Sequence, residues 1–113
     1  MPPRRLAEQE IETTLARFEA AYESLDADAA ARVWPAVDRR ALARAFQSLR
    51  SQEITFTGCR MAIETIAASV DCDGWTTFVP RIGSRDPRTE QRRWNFQLRK
   101  RGGTWTITEA RIR

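Results

Sequence analysis

Two long stretches of this chain alternate apolar and polar residues, and in both the alternation changes parity partway along. Ile54 and Phe56 keep one parity, then Cys59, Met61 and Ile63 continue on the other, with Gly58 at the break. Near the end, Trp105 and Ile107 hand over to Ala110 and Ile112. Side chains on a strand alternate between faces with a period of two. A single apolar face with a parity change therefore requires one extra residue, a β-bulge. Bulges bend and twist a sheet, so this pattern predicts a strongly curved one.

The rest of the pattern supplies what the curved sheet wraps around. Ile11, Leu15, Phe18, Tyr22 and Leu25 recur at spacings of four, three, four and three, which predicts a helix from about Leu6 to Leu25. A short second helix is expected from Ala27 to about Trp34, ended by Pro35. Asp38 is an N-cap candidate for a third helix over about Arg39–Leu49, with Leu42, Ala45, Phe46 and Leu49 inward. Four strands follow, at roughly Glu53–Glu64, Ala67–Val79, Gln91–Lys100 and Thr104–Ile112. Pro80–Glu90 reads as a loop, Asp73-Gly74 as a bend or bulge, and Arg101-Gly102-Gly103 as a hairpin turn. The expected architecture is α+β: a cone-shaped roll in which three N-terminal helices pack on the concave side of a curved, mostly antiparallel four-stranded sheet.

At 113 residues the chain is expected to form a single domain over 1–113, with residues 1–5 a linker-like or disordered tail. No stretch approaches the roughly 20 apolar residues of a membrane span, and no signal-peptide pattern opens the chain. A soluble protein is expected, either cytoplasmic or an extracytoplasmic piece of something longer. Charge is uneven: residues 81–113 carry ten basic side chains against three acidic, and Lys100 is the one lysine of the chain. Arginine forks suit carboxylates and phosphates, although arginine-rich codon usage and simple solvation account for the same composition. No nucleic-acid motif and no interleaved exposed aromatics accompany the arginines, so nucleic acid is not an expected partner.

Cys59 and Cys72 are the two cysteines, and histidine is absent. This set cannot complete a usual four-ligand zinc site, so no metal is expected. A hairpin turning at Thr65-Ile66 would set Ile63 opposite Ala68 and Cys59 opposite Cys72. The two thiols would then either bridge in an oxidising compartment or stay reduced and pack as small apolar groups.

Taken in order, several segments resemble the nuclear transport factor 2-like superfamily. They are the amphipathic first helix, the Leu25-Asp26-Ala27-Asp28-Ala29 step, the Trp34-Pro35-x-Val37-Asp38 turn, and the bent strands ending in Arg93-Trp94-Asn95-Phe96-Gln97-Leu98 and Gly103-Thr104-Trp105-Thr106-Ile107. Tyr22-Glu23-Ser24-Leu25-Asp26 and Val33-Trp34-Pro35-x-Val37-Asp38 are most similar to polyketide cyclase-like and accessory domains of bacterial serine/threonine kinases and secreted proteins. The resemblance implies a cone whose mouth holds an acid–base residue in the enzymes of the superfamily, or a ligand or partner in its other members.

Three residues are candidates for chemistry. Tyr22 lies on the inward stripe and could donate to a substrate oxygen, or simply pack in the core with its hydroxyl on a backbone carbonyl. Asp38 could be a general base at the mouth, or only a helix cap. Glu109 sits at the parity change of the last strand and faces either the cone or solvent. The expected pocket lining is Phe18, Tyr22, Trp34, Phe46, Phe56, Met61, Trp94, Phe96 and Trp105, a set that serves equally as a filled core. Asp71 and Asp73 fall on the outer parity, and Trp75 is expected to be exposed.

With no histidine and no carboxylate pair inside the cone, the expected function is a non-catalytic accessory module. It would form a homodimer through the sheet face and hold a small apolar ligand. The alternative is a small cofactor-free isomerase, dehydratase or cyclase using Tyr22 with Asp38 or Glu109. Neither reading calls for a cofactor.

Overall fold

The computed structural model describes residues 3–113. Helix α1 spans Pro3–Glu23, α2 Ala27–Val33 and α3 Arg39–Gln47. Strands β1 Leu49–Ile63, β2 Ala67–Pro80, β3 Arg88–Arg101 and β4 Thr104–Ile112 form one sheet in the order β1-β2-β3-β4, every pairing antiparallel. Arg4 and Arg5, expected in the N-terminal tail, lie in α1, where Arg4 pairs with Glu8 one turn on. Met1 and Pro2 lie outside the described residues. No described helix is long and apolar enough to cross a membrane.

Local chemistry sets the helix ends. The backbone N–H of Asp26 donates to the Ala21 carbonyl and that of Leu25 to the Tyr22 carbonyl, which closes α1 in a Schellman arrangement. That motif puts Leu25 at φ 53, in the left-handed region, and so removes it from the helical stripe on which it was expected. Its side chain still packs against the core. Asp26 and Asp38 cap α2 and α3 by accepting from the N–H groups of Ala29 and Ala41, each at 3.0 Å. The third helix stops at Gln47, short of the expected Leu49, and Leu49 opens β1 instead. There the chain leaves the helix to pair with Pro80.

Both parity changes are bulges. The register of β1 on β2 shifts between Phe56 and Gly58, and that of β4 on β3 shifts where Glu109 faces Gln97 but Ile107 faces Leu98. A third shift, between Leu49 and Ser51, was not legible because Arg50 interrupts no apolar run. The bend or bulge expected at Asp73-Gly74 falls at that point of the β1–β2 pairing, but the extra residue, Thr57, is in β1, and β2 runs regularly on β3. Gly74 is needed because a Cβ there would collide with the Thr55 carbonyl oxygen.

The concave face carries Ala68, Val70 and Cys72 of β2, Trp94, Phe96 and Leu98 of β3, and Trp105 and Ile107 of β4, all buried. Against them lie Ile11, Leu15, Phe18, Ala21 and Tyr22 of α1, with Ala30, Val33 and Phe46 of the shorter helices. Aromatic rings link the layers edge to face. Phe18 meets Phe96 at 5.0 Å between centroids, Tyr22 meets Phe46 at 5.1 Å, and Phe56 meets Trp94 at 5.0 Å. Thr14 ties α1 to the last strand by donating to the Trp105 carbonyl oxygen at 3.1 Å.

Candidate functional site

The aromatic layer fills the middle of the cone and leaves a cleft of about 490 Å³ at one end. Tyr22 at the end of α1, Ala45 and Ser48 around the end of α3, and the concave residues of all four strands line it. Its walls are Ile54, Phe78, Trp94 and Ile112, and its polar groups are Tyr22, Ser48, Gln52, Thr76 and Arg92. Apolar walls with a few converging polar groups, at this volume, suit a small organic molecule.

Gln52, Ser48 and Arg92 each have an identifiable anchor. Gln52 donates its side-chain amide to the Tyr22 carbonyl oxygen at 3.3 Å, which fastens β1 to the end of α1. The Ser48 hydroxyl donates to the Ala45 carbonyl at 2.6 Å. Arg92 is ion-paired with Glu90, two residues away on the same face of β3. Tyr22 is only 8% exposed, and its hydroxyl has no hydrogen-bond partner among the described residues. Among the described residues no backbone carbonyl, the partner named in the core alternative, accepts from it, and Tyr22 borders the cleft. Burial pushes the Tyr22 hydroxyl up to about 12, which keeps it a donor across the ordinary pH range.

The expected site residues separate in the fold. Tyr22 and Trp94 line the cleft. Phe18, Phe96 and Trp105 are buried in the layer beneath, and the Trp105 indole N–H has no partner there. Phe56 is half-buried against Trp94 and Phe96. Phe46 is buried against Tyr22 but borders the outer groove between α3 and the α1–α2 turn. Met61 lies at the far end of the sheet, and Trp34 caps the end of α2 away from the cleft. Asp38 is taken up by its cap, outside the cleft.

Glu109 pairs across to Gln97 on the convex face and forms an ion pair with Arg111 at 2.8 Å. The bulge residue is Thr108, so the parity of Glu109 is that of Arg111 and not of Ala110. Sequence reasoning missed Arg92, Glu90, Gln52 and Thr76. The signal was the even parity of Trp94, Phe96 and Leu98, which extends back through Arg92 to Glu90 once β3 is allowed to start at Arg88.

Cys59 and Cys72 stand directly across β1 and β2 and form a disulfide. Cys72 is buried beside Trp94 in the register, whereas Cys59 is exposed at the sheet edge. On the convex side Asn95 donates to Asp71 at 2.8 Å, Gln97 donates to Ser69 at 3.0 Å, and Asp73 faces Arg60 and Arg93. Trp75 is 43% exposed on that face.

No family model and no curated protein matches the chain. Solved structures do. A nuclear transport factor 2-like superfamily protein from Salmonella enterica serovar Typhimurium superposes with a TM-score of 0.85 at 14% identity, over 97% of this chain and 92% of that one. A candidate scytalone dehydratase from Novosphingobium aromaticivorans gives 0.82 at 11% identity, over 97% and 85%. A candidate dehydratase of the same family from Streptomyces avermitilis gives 0.79 at 12% identity, over 92% and 93%. Three helices on a curved, unclosed antiparallel sheet, matched over nearly their full length by these structures, give this chain the nuclear transport factor 2-like fold.

Proposed function

We propose that this chain is a binding domain whose mouth cleft takes a small, largely apolar molecule without transforming it. The observation that carries this reading is the cleft itself: about 490 Å³, walled by Ile54, Phe78 and Trp94 and bordered by Tyr22. The two carboxylates considered as bases, Asp38 and Glu109, are engaged elsewhere, by a helix N-terminus and by Arg111. Native mass spectrometry of freshly purified protein tests the reading. A reproducible small-molecule adduct that disappears in Thr76→Trp, which fills the cleft, supports it. An adduct that survives the filled cleft contradicts it.

The enzyme reading is favoured by the candidate dehydratases among structures of this fold. In it, Tyr22 would donate to a developing oxyanion. Turnover of a dehydratase or isomerase substrate that falls with Tyr22→Phe would establish it in place of simple binding.

A second copy of the chain is the proposed partner, docked through the convex face of the sheet. Support comes from the exposed Trp75 on a face otherwise covered by paired amide, hydroxyl and charged side chains, which suits a polar interface with one aromatic anchor. Light scattering of wild type and Trp75→Arg checks it: a dimer that becomes monomeric is the expected result, and a monomeric wild type ends the idea.

A further inference from the structure

Arg92 is the one charged side chain among the described residues of the cleft wall, and a carboxylate already occupies part of its fork. Glu90 and Arg92 share the concave parity of β3, and their side chains are 41% and 38% exposed. Arg92 donates through Nη2 to Glu90, while Nε and Nη1 have no hydrogen-bond partner among the described residues. Next on the same face comes Trp94, buried and held edge-on by Phe56, and Tyr22 borders the same space. A guanidinium offers parallel donors matched to the two oxygens of a carboxylate, and a neutral group cannot match that pairing. A flat ring against Trp94 and Ile54 would remove water from around the Arg92–Glu90 pair and strengthen a second carboxylate's hold on the free Nε and Nη1 donors.

We propose that the cleft selects an aromatic monocarboxylate, with Arg92 binding the carboxylate and Glu90 acting as an internal competitor that holds the guanidinium until the ligand displaces it. The proposal rests on the binding reading above and names its ligand class. Arg92 determines the specificity here, and Glu90 tempers it: the competition weakens binding of the anion and leaves neutral molecules of the same shape unaffected.

An isosteric pair of probes, 1-naphthoate and 1-naphthamide, separates the charge from the ring. Each is titrated at pH 7 by calorimetry and by tryptophan fluorescence into wild type, Arg92→Gln and Glu90→Gln, with circular dichroism melts confirming that the variants fold. Wild type is expected to prefer naphthoate by about tenfold. Arg92→Gln is expected to erase that preference while retaining naphthamide binding. Glu90→Gln is expected to tighten naphthoate alone, by about two- to fivefold. Equal binding of both probes to wild type, or weaker naphthoate binding in Glu90→Gln, overturns the selection and leaves cleft binding intact. Binding of neither probe to wild type overturns the selection too, and an adduct-free native mass spectrum would then remove the binding reading as well.

Discussion

Gly74 faces the backbone of Thr55 so closely that a Cβ on the glycine would collide with the Thr55 carbonyl oxygen. The approach occurs beside the β1 bulge, where Gly74 stands opposite Phe56 and the next pairing skips to Gly58 and Asp73. Gly74→Ala must therefore push the strands apart where the sheet bends. A loss of at least about 2 kcal/mol is expected in urea unfolding. Unchanged stability would mean that β1 can shift there at little cost.

The Cys59–Cys72 bridge closes a hairpin with 13 residues of sequence separation. Closing a loop of this size in the unfolded chain stabilises the fold by about 3 kcal/mol in the chain-entropy model. Denaturation with and without dithiothreitol should show a loss of that order. A Cys59→Ser, Cys72→Ser double variant should match the reduced wild type and no longer respond to the reductant.

Tyr22 ties pH to stability. Its folded-state value is raised from 10.0 to about 12 by burial, so the folded protein holds this proton more tightly than the unfolded chain does. The stability this confers is complete below about pH 10 and is lost as pH rises through 12. Tyr22→Phe keeps the ring contacts with Phe18 and Phe46 and removes a hydroxyl that has no partner among the described residues. Melting temperatures at pH 7 should therefore stay close to wild type, while the decline of wild type between pH 10 and 12 should be shallower in the variant. Parallel alkaline profiles would contradict the assignment.

Glu19 follows the same sign at a much lower pH. Burial first, and repulsion from Glu23 second, raise its carboxyl above the usual 4.5. A raised value favours the protonated form in the folded state, so stability from this group is present below pH 4.5 and lost as pH rises through the folded value. Glu19→Gln should consequently stabilise at pH 7, by less than about 1 kcal/mol because the group is only half-buried. The gain should vanish near pH 4. Thermal melts at both pH values check it, and a gain of equal size at both would point to helix propensity instead of charge.

Patterns that repeat over several residues were legible. The β4 bounds Thr104–Ile112, the Cys59–Cys72 register and both apolar-face bulges follow from period-two alternation, which any strand with one buried face must obey. The cleft was harder to read because it lies where the concave face turns polar. Arg92 and Glu90 continue the parity of Trp94, but Arg92 is a charged residue within the expected strand, which reads as solvated, and Glu90 fell in the expected loop because β3 reaches back to Arg88 only where β2 is there to pair with it. Glu109 needed the identity of the bulge residue, a one-residue question on which its face depends. Leu25 left its helical stripe because the turn after α1 places it in a left-handed conformation, which its apolar character does not signal.

By itself, then, the order of apolar and polar residues determined the element types, the curvature of the sheet and the inward faces, because burial is enforced locally at every second or every third to fourth position. Tertiary structure alone decided which inward positions became packed core and which became the wall of a cleft. That division depends on where α1 and α3 end against the sheet. Phe18 and Phe96 are wholly buried beneath the helices, whereas Tyr22, Ser48, Thr76 and Arg92 border the cleft where α1 and α3 end.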